Sequence, residues 1–557
     1  MGADPTRREE ALRQAALGHL SGAIAMLRPL AEASGDPEDR LLIGRLALVL
    51  TDDRETRDQL ERAYREFRER GLPRRAALAA TWLAVHLDLL DERIAARAWL
   101  DRARRLLEPE GPCVEQGYVL VGLFGIAVAS ADALQENARA ALAVAREFRD
   151  PNLECKALAD WGLALVSRGQ IAEGMAHLDE ALAMITAGET RDPAVISQAV
   201  CGMINACDRS GDLARAETWL RFVEERTPAE GQGPSIHTFA QCWRALGSVL
   251  SEAGQWTEAE TLLRLALARG DRSYHFARLA TRAAFAELRI RQGRFEEAAR
   301  LIDDASDRVE VLGPRARLHL AQGRSDLAAA VARQALRQLD GDRLRAAPLL
   351  LVLVDAELAS GNVEAAGEAA EELARMAELT AVSTVAAQAA LAVGRTAAAR
   401  GDPDEAAERF AAGLAVMHDG AALLRAALHL ALARAQAGSR PADATVNAQT
   451  AFAVYERLGA PEAASASELL RELGRPASPA PRPSAPLAAL THREREVLDL
   501  LPRGLTNPDI AQRLHITPRT AEHHVSSILS KLGLRNRSEA AAFAASFRLA
   551  GESRAGR

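Results

Sequence analysis

The sequence predicts an all-α protein: a long α-solenoid of paired helices followed by a small four-helix unit. Three observations carry this. Aromatic residues make up only 4% of the 557 residues. Alanine is abundant, which suits closely packed helices better than strands, since strands favour β-branched and aromatic side chains. A frame of small residues around a glycine recurs along most of the chain, and after a cluster of prolines the last segment shows helix caps and apolar residues at helical spacing.

The frame is clearest at Gly162…Gly169…Gly174…Ala181, with steps of 7, 5 and 7. It returns at Gly247…Gly254…Ala259…Ala266, at Ala286…Gly293…Ala298…Ala305, at Ala316…Gly323…Ala328…Ala335 and at Gly394…Gly401…Ala406…Gly413. Looser copies centre on Gly211, Gly361 and Gly438. The central glycines step by 30 to 43 residues, 38 on average. Each is read as the tight turn of a helix pair, where glycine takes a positive φ at little cost. The flanking small residues then let the two helices approach closely. Upstream, Ala84…Asp91…Ala96…Ala103 and Ile126…Ala133…Ala138…Ala145 keep the spacing without the glycine. This frame resembles the tetratricopeptide repeat, whose unit is 34 residues long. About twelve helix pairs are expected over residues 1–473. The resemblance implies a superhelix with a concave groove, a docking surface for a protein or small effector or a body for self-association.

Composition removes other classes. Only Lys156 and Lys531 are lysines among 69 basic residues, and neither sits in a phosphate-binding loop. Kinase and Ser-x-x-Lys signatures fail for the same reason. No Gly-x-Ser-x-Gly or His-Glu-x-x-His occurs, so no enzyme, cofactor or metal is expected. Cys113, Cys155, Cys201, Cys207 and Cys242 form no Cys-x-x-Cys pair and are read as thiols of a reducing cytoplasm. Cys201 and Cys207, at helical spacing among apolar neighbours, are read as buried thiols rather than a redox sensor. The stretch from Gln116 to Ala131 is uncharged but too short for a membrane helix; it is read as a buried helix. Net charge is −7, yet from Leu490 onward the balance is +4, which places any nucleic-acid contact there.

Residues 474–487 read as a linker, because five prolines fall between Pro476 and Pro486. At ~3.1 Å per residue in polyproline conformation, those eleven residues span about 34 Å. Residues 488–551 read as the four-helix unit. Thr491 and Glu494 form a capping box that opens the first helix, with Val497, Leu498 and Leu501 facing inward. Pro502 and Gly504 end it. A second helix starts at Thr506 or Asn507 and runs to Leu514. Thr517 caps a third, with Pro518 at its first position. Ala521, Val525, Ile528 and Leu532 form its apolar face; Arg519, Glu522, His523, Ser526 and Ser530 form a polar one. This is a helix-turn-helix, whose second member enters the major groove. A fourth helix is expected from about Ser538 to Leu549. His524, beside the apolar stripe, is expected to make a structural hydrogen bond.

These motifs, with Gly504-Leu505-Thr506-Asn507, Ile510-Ala511, Leu514, Thr520 and Lys531-Leu532-Gly533, make residues 488–551 similar to the LuxR-type (FixJ/NarL-type) domain. The resemblance implies a regulator of transcription that binds double-stranded DNA as a homodimer, often contacting RNA polymerase. It implies base reading by Glu522, His523 and Ser526. It places Thr517, Thr520, Ser527, Lys531, Arg535 and Arg537 at phosphates, and adds Thr506, Asn507 and Arg519 to the contact set. Glu522 either accepts from cytosine N4 or pairs with Arg519. Repeats ahead of such a domain resemble the C-terminal part of MalT-like activators, without their ATPase module. A cytoplasmic, nucleoid-associated regulator follows, with no membrane contact. The alternative is an interaction scaffold in which the repeats are the active part and DNA binding is auxiliary.

Overall fold

The computed structural model describes residues 5–16, 18–122, 131–225, 236–270, 275–303, 307–417, 421–474, 491–498, 500–501, 507–514 and 516–532. The linker core, the expected fourth helix, and Thr506, Arg535 and Arg537 lie outside them. All the regular structure described is helical. The chain forms two compact units, Met1–Ala477 and Ser478–Arg557.

Among the described residues of the first unit, 25 helices run from Pro5 to Glu472, packed as successive antiparallel pairs. This is a tetratricopeptide-like array. Several helices begin with the same device. Asp36-Pro37, Asp150-Pro151, Asp192-Pro193 and Asp402-Pro403 each place an aspartate cap before a proline at the first helical position. The carboxylate accepts from an unpaired backbone N–H, for example Leu153 N to Asp150 at 2.9 Å, and the proline gives up an N–H that has no partner there.

The turn glycines behave as the frame requires. Gly169, Gly211, Gly254, Gly293, Gly323, Gly361 and Gly401 all have φ between 71° and 89°. Gly438 does not, and the chain passes it outside the left-handed region between helices Ala422–Gln436 and Pro441–Leu458. Asp91, which stands where the frame calls for glycine, takes the left-handed turn with φ 67°. Ala133 is no turn at all; it lies inside helix Ala131–Phe148. The frame there matched by composition alone, because alanine is common enough to fill four small positions without a turn. The stretch Gln116–Ala131 carries helix Val114–Val121, and residues 123–130 are outside the described set.

The small positions set how closely paired helices meet. A Cβ on Gly162 would lie 2.6 Å from the Gly174 carbonyl oxygen, and one on Gly174 would lie 2.6 Å from the Gly162 oxygen. These two backbones are in contact. Gly247 sits on Leu263, and Gly394 on the ring of Phe410, in the same manner. Where the helices come this near, alanine and leucine fill the seam without voids. Ala159, Leu163, Val166 and Leu178 are all at least 98% buried.

The array also closes on itself. Residues 133 to 217 apart in sequence meet across successive coils, as in Arg209–Asp342 and Arg308–Asp91. Ala131 N donates to Asp340 O at 3.1 Å, and the Arg343 guanidinium to Arg168 O at 3.2 Å. Turn glycines take part: Gly169 packs on Thr380, Gly254 on Leu458 and Gly293 on Pro461. A cleft of about 520 Å³ remains at one such seam, lined by Trp256, Glu260, Arg264, Gln292, Arg294 and Leu458.

Replacing Gly162 by valine should lower the unfolding midpoint by the equivalent of about 1–3 kcal/mol, since its Cβ would lie 2.6 Å from both the Gly174 carbonyl oxygen and the Leu178 side chain. Gly22→Ala, at a site with nothing within 4 Å, should be neutral or stabilising by up to ~1 kcal/mol through helix propensity. Thermal unfolding followed by circular dichroism compares the two.

Candidate nucleic-acid interface

The second unit contributes three described helices, His492–Leu498, Asn507–Leu514 and Pro518–Leu532. Their boundaries follow the caps. Glu494 N donates to Thr491 Oγ1 at 3.3 Å, and Thr491 N donates to Glu494 Oε2 at 2.7 Å, which completes the capping box. Thr520 N donates to Thr517 Oγ1 at 3.2 Å and starts the third helix, while the two hydroxyls share a 2.7 Å bond.

One small core joins the helices. Val497 and Leu498 from the first helix, with Leu501 just beyond its end, meet Ile510 and Ala511 from the second and Ala521, Val525 and Ile528 from the third. With those residues turned inward, helical geometry turns Arg519, Glu522 and His523 outward, and all three are exposed. No ion pair joins Arg519 to Glu522 among the described residues, so the carboxylate of Glu522 is not tied up by its neighbour. Ser526 lies on the same helix; its side chain is outside the described set. Asn507 begins the second helix. His524 is half-buried, and no hydrogen bond of its ring is found among the described residues, where a structural bond is expected.

Ser527 and Lys531, expected at phosphates, bond within the unit. Ser527 Oγ donates to Glu494 Oε1 at 2.6 Å, and Lys531 Nζ reaches both Glu494 oxygens at 2.8 and 2.7 Å. They face the first helix, one turn apart on the third, and are engaged inside the unit. Glu494 itself is only 4% exposed. Burial pushes its carboxyl up, but the bonds from Lys531, Ser527 and Thr491 outweigh that and hold it at about 2. A second tie comes from Arg493, whose guanidinium donates to the Leu514 carbonyl at the end of the second helix and pairs with Glu496 at 2.7 Å. It satisfies a helix-terminal acceptor that lacks an intrahelical partner.

Reading the sequence found Glu494 only as a cap. The signal for its larger role was available: a capping glutamate spends one oxygen on the backbone, and Ser527 and Lys531, spaced i and i+4, supply donors for the other. Outside this unit, the thiols of Cys155 and Cys207 are buried and pushed up to about 11 and about 12 by that burial. A thiol so high is a poor nucleophile, which agrees with a structural reading of Cys207.

Glu494→Gln should loosen the first helix from the third. A charge-assisted bond is worth about 1.5–3 kcal/mol, so hydrogen exchange in both helices of the full chain should accelerate. Because the native carboxyl lies below its ordinary value of 4.5, its contribution is complete above that value and is lost as pH falls towards 2. The wild-type unit should therefore loosen over that acid range, and the Gln variant should show no such step.

Residues 488–544 match the family described as bacterial regulatory proteins, luxR family (GerE). The same segment is 48% identical over 59 residues to the DNA-binding transcriptional activator DevR/DosR of Mycobacterium tuberculosis, covering 11% of this chain and 27% of that protein. It is 51% identical over 57 residues to the transcriptional regulatory protein LnrK of Bacillus subtilis, covering 10% and 26%. The chain thus spans about a quarter of the length of these relatives. Two solved structures align with most of the chain. The Cut9–Hcn1 hetero-tetramer of the APC/C has TM-score 0.45 and 15% identity, covering 84% of this chain and 92% of that one. A human IFIT1 dimer with PPP-AAAA has TM-score 0.40 and 14% identity, covering 77% and 92%. The helical architecture stands on its own geometry, and the match at 488–544 takes in the three described helices of the second unit: residues 488–544 are a LuxR-family helix-turn-helix domain, carried by this chain together with a tetratricopeptide-like helical array.

Proposed function

We propose that this chain is a DNA-binding regulator of transcription, with residues 1–473 as the array, 474–487 as the linker and 488–551 as the DNA-binding domain. The observation that carries it is the third helix, Pro518–Leu532. Its inward face is fixed by the core and by Glu494, and its outward face offers Arg519, Glu522 and His523 to solvent. A helix held on one side and polar on the other fits the major groove, and the domain's relatives are named as transcriptional regulators.

In this reading Glu522, His523 and Ser526 face base edges. Thr517 and Thr520, at the helix N-terminus, sit with Arg519 where phosphate oxygens run. Thr506, Asn507, Arg535 and Arg537 extend the contact to the backbone. Ser527 supports the third helix from within. Lys531, partly exposed beyond its bond to Glu494, contributes charge near the backbone. The chain acts on DNA as a homodimer, in the cytoplasm, with RNA polymerase as a further partner. The array receives a protein or small effector, for which the seam cleft beside Trp256 and Arg294 is one place. No helix of the described residues is long and apolar enough to cross a membrane.

Selection of bound DNA from a random pool tests this on the full chain. An inverted repeat with half-sites about one helical turn apart is expected. Affinity for it should fall steeply and linearly on a log–log plot as salt rises, in proportion to the phosphates contacted. Recovery of no motif, with affinity equal for all sequences, would overturn the reading and favour the scaffold alternative.

A further inference from the structure

Asp91 is one of five non-glycine residues with a positive φ among the described residues, with Thr51, Arg149, Ala381 and Ala421. It occupies the turn between helices Pro73–Leu89 and Arg93–Leu107, with φ 67°. Seven other turns at this place in the frame use glycine. A non-glycine residue in that conformation costs about 1 kcal/mol, and the Asp91 side chain makes a contact there that glycine cannot. Asp91 Oδ1 accepts from Arg308 Nη1, which arrives from 217 residues further along the chain, on the next coil. Arg93 Nε holds the same oxygen at 3.0 Å. Arg308 has a side chain only 11% exposed and also lies 3.6 Å from Glu310.

A second carboxyl sits beside this pair. Asp88, in the last turn of helix Pro73–Leu89, is 8% exposed, and its Oδ1 is buried with no hydrogen bond. A protonated carboxyl tolerates such a place far better than a carboxylate. The charged groups acting on Asp88 are Arg308 from the next coil and Arg93 and Asp91 from the following turn and helix. His86, two residues back on the same helix, faces Asp53, Arg57 and Glu92 instead.

We propose that Asp91, Arg308 and Asp88 form a proton-sensitive latch between successive coils of the array, closed while Asp88 is protonated and released as it ionises. The direction follows from linkage. Burial pushes the Asp88 carboxyl up to about 7, against the pull of Arg308 and Arg93. In an opened seam water would return it towards its ordinary value of 3.8. Proton uptake therefore favours the closed seam, and raising pH through 7 favours the open one. Separation of the coils hydrates the carboxylate and exposes the inner helix faces that the seam covers. The array then offers a partner surface that depends on pH near neutrality.

The test is a distance across the seam in the full chain. Nitroxide labels are placed at Ile94→Cys and Leu327→Cys, both exposed sites, at 90% and 50%. Cys201 is replaced by serine, since the other four cysteines are buried. Double electron–electron resonance is recorded at pH 6 and pH 8. The wild-type background should show a longer and broader distribution at pH 8. Arg308→Gln should show it at both pH values, and Asp88→Asn should stay short at both. Circular dichroism of each variant establishes that it is folded. An unchanged distance in wild type and in folded Arg308→Gln would overturn the latch. A pH response that persists in Asp88→Asn would overturn the role of Asp88.

Discussion

Backbone contact between paired helices is the constraint from which the array follows. Gly162 and Gly174 let each helix approach a carbonyl oxygen of the other, and Gly247 and Gly394 leave room for the side chains of Leu263 and Phe410 on the partner helix. At that separation an interior made largely of alanine and leucine is filled. At a larger one it would be full of voids. This explains how a chain with only 4% aromatic residues builds a continuous core. It also explains why the turns cluster at glycine: a pair that packs so closely has room only for a short left-handed reversal.

The helix-turn-helix unit solves the opposite problem. It has too few residues for a large core, and nine buried apolar side chains hold its three described helices. Glu494 adds what apolar burial does not, a fixed register. One carboxylate caps the first helix and grips the third at Ser527 and Lys531. Arg493 ties the first helix to the end of the second. Rotation of the third helix about its axis would break these bonds, so Arg519, Glu522 and His523 are presented at a set angle. The two lysines of the chain illustrate one economy: each is spent on a buried carboxylate, Lys156 on Asp160 and Lys531 on Glu494.

Much of this was legible in the sequence because it is local. The capping box at Thr491, the cap at Thr517, the apolar stripe from Ala521 to Ile528 and the turn glycines from 169 to 401 are set by spacings of two to seven residues. Asp91 was legible as a turn even without glycine, because its flanking alanines kept the frame. Ala133 was misread for the same reason in reverse, since alanine satisfies the frame inside a helix. What the sequence hid was contact at long range. Nothing near Glu494 announces that its second oxygen is taken by residues 33 and 37 positions away. Nothing near Asp91 announces Arg308, 217 positions on. Coil-to-coil closure depends on the summed twist of many pairs, which no short motif encodes.

The central claim is that the outward face of helix Pro518–Leu532 reads sequence while the remainder of its domain holds it in place. Glu522 is the place to ask, because it is exposed and unpaired by Arg519. The most direct measurement is the base preference of Glu522→Lys beside that of the wild-type full chain, each determined by selection from the same random pool. A carboxylate accepts from cytosine N4, whereas an ammonium donates to guanine O6 and N7. The account predicts that one position in each half-site changes and that the others, with the half-site spacing, are retained. Identical preferences for the two proteins, at comparable affinity, would contradict it.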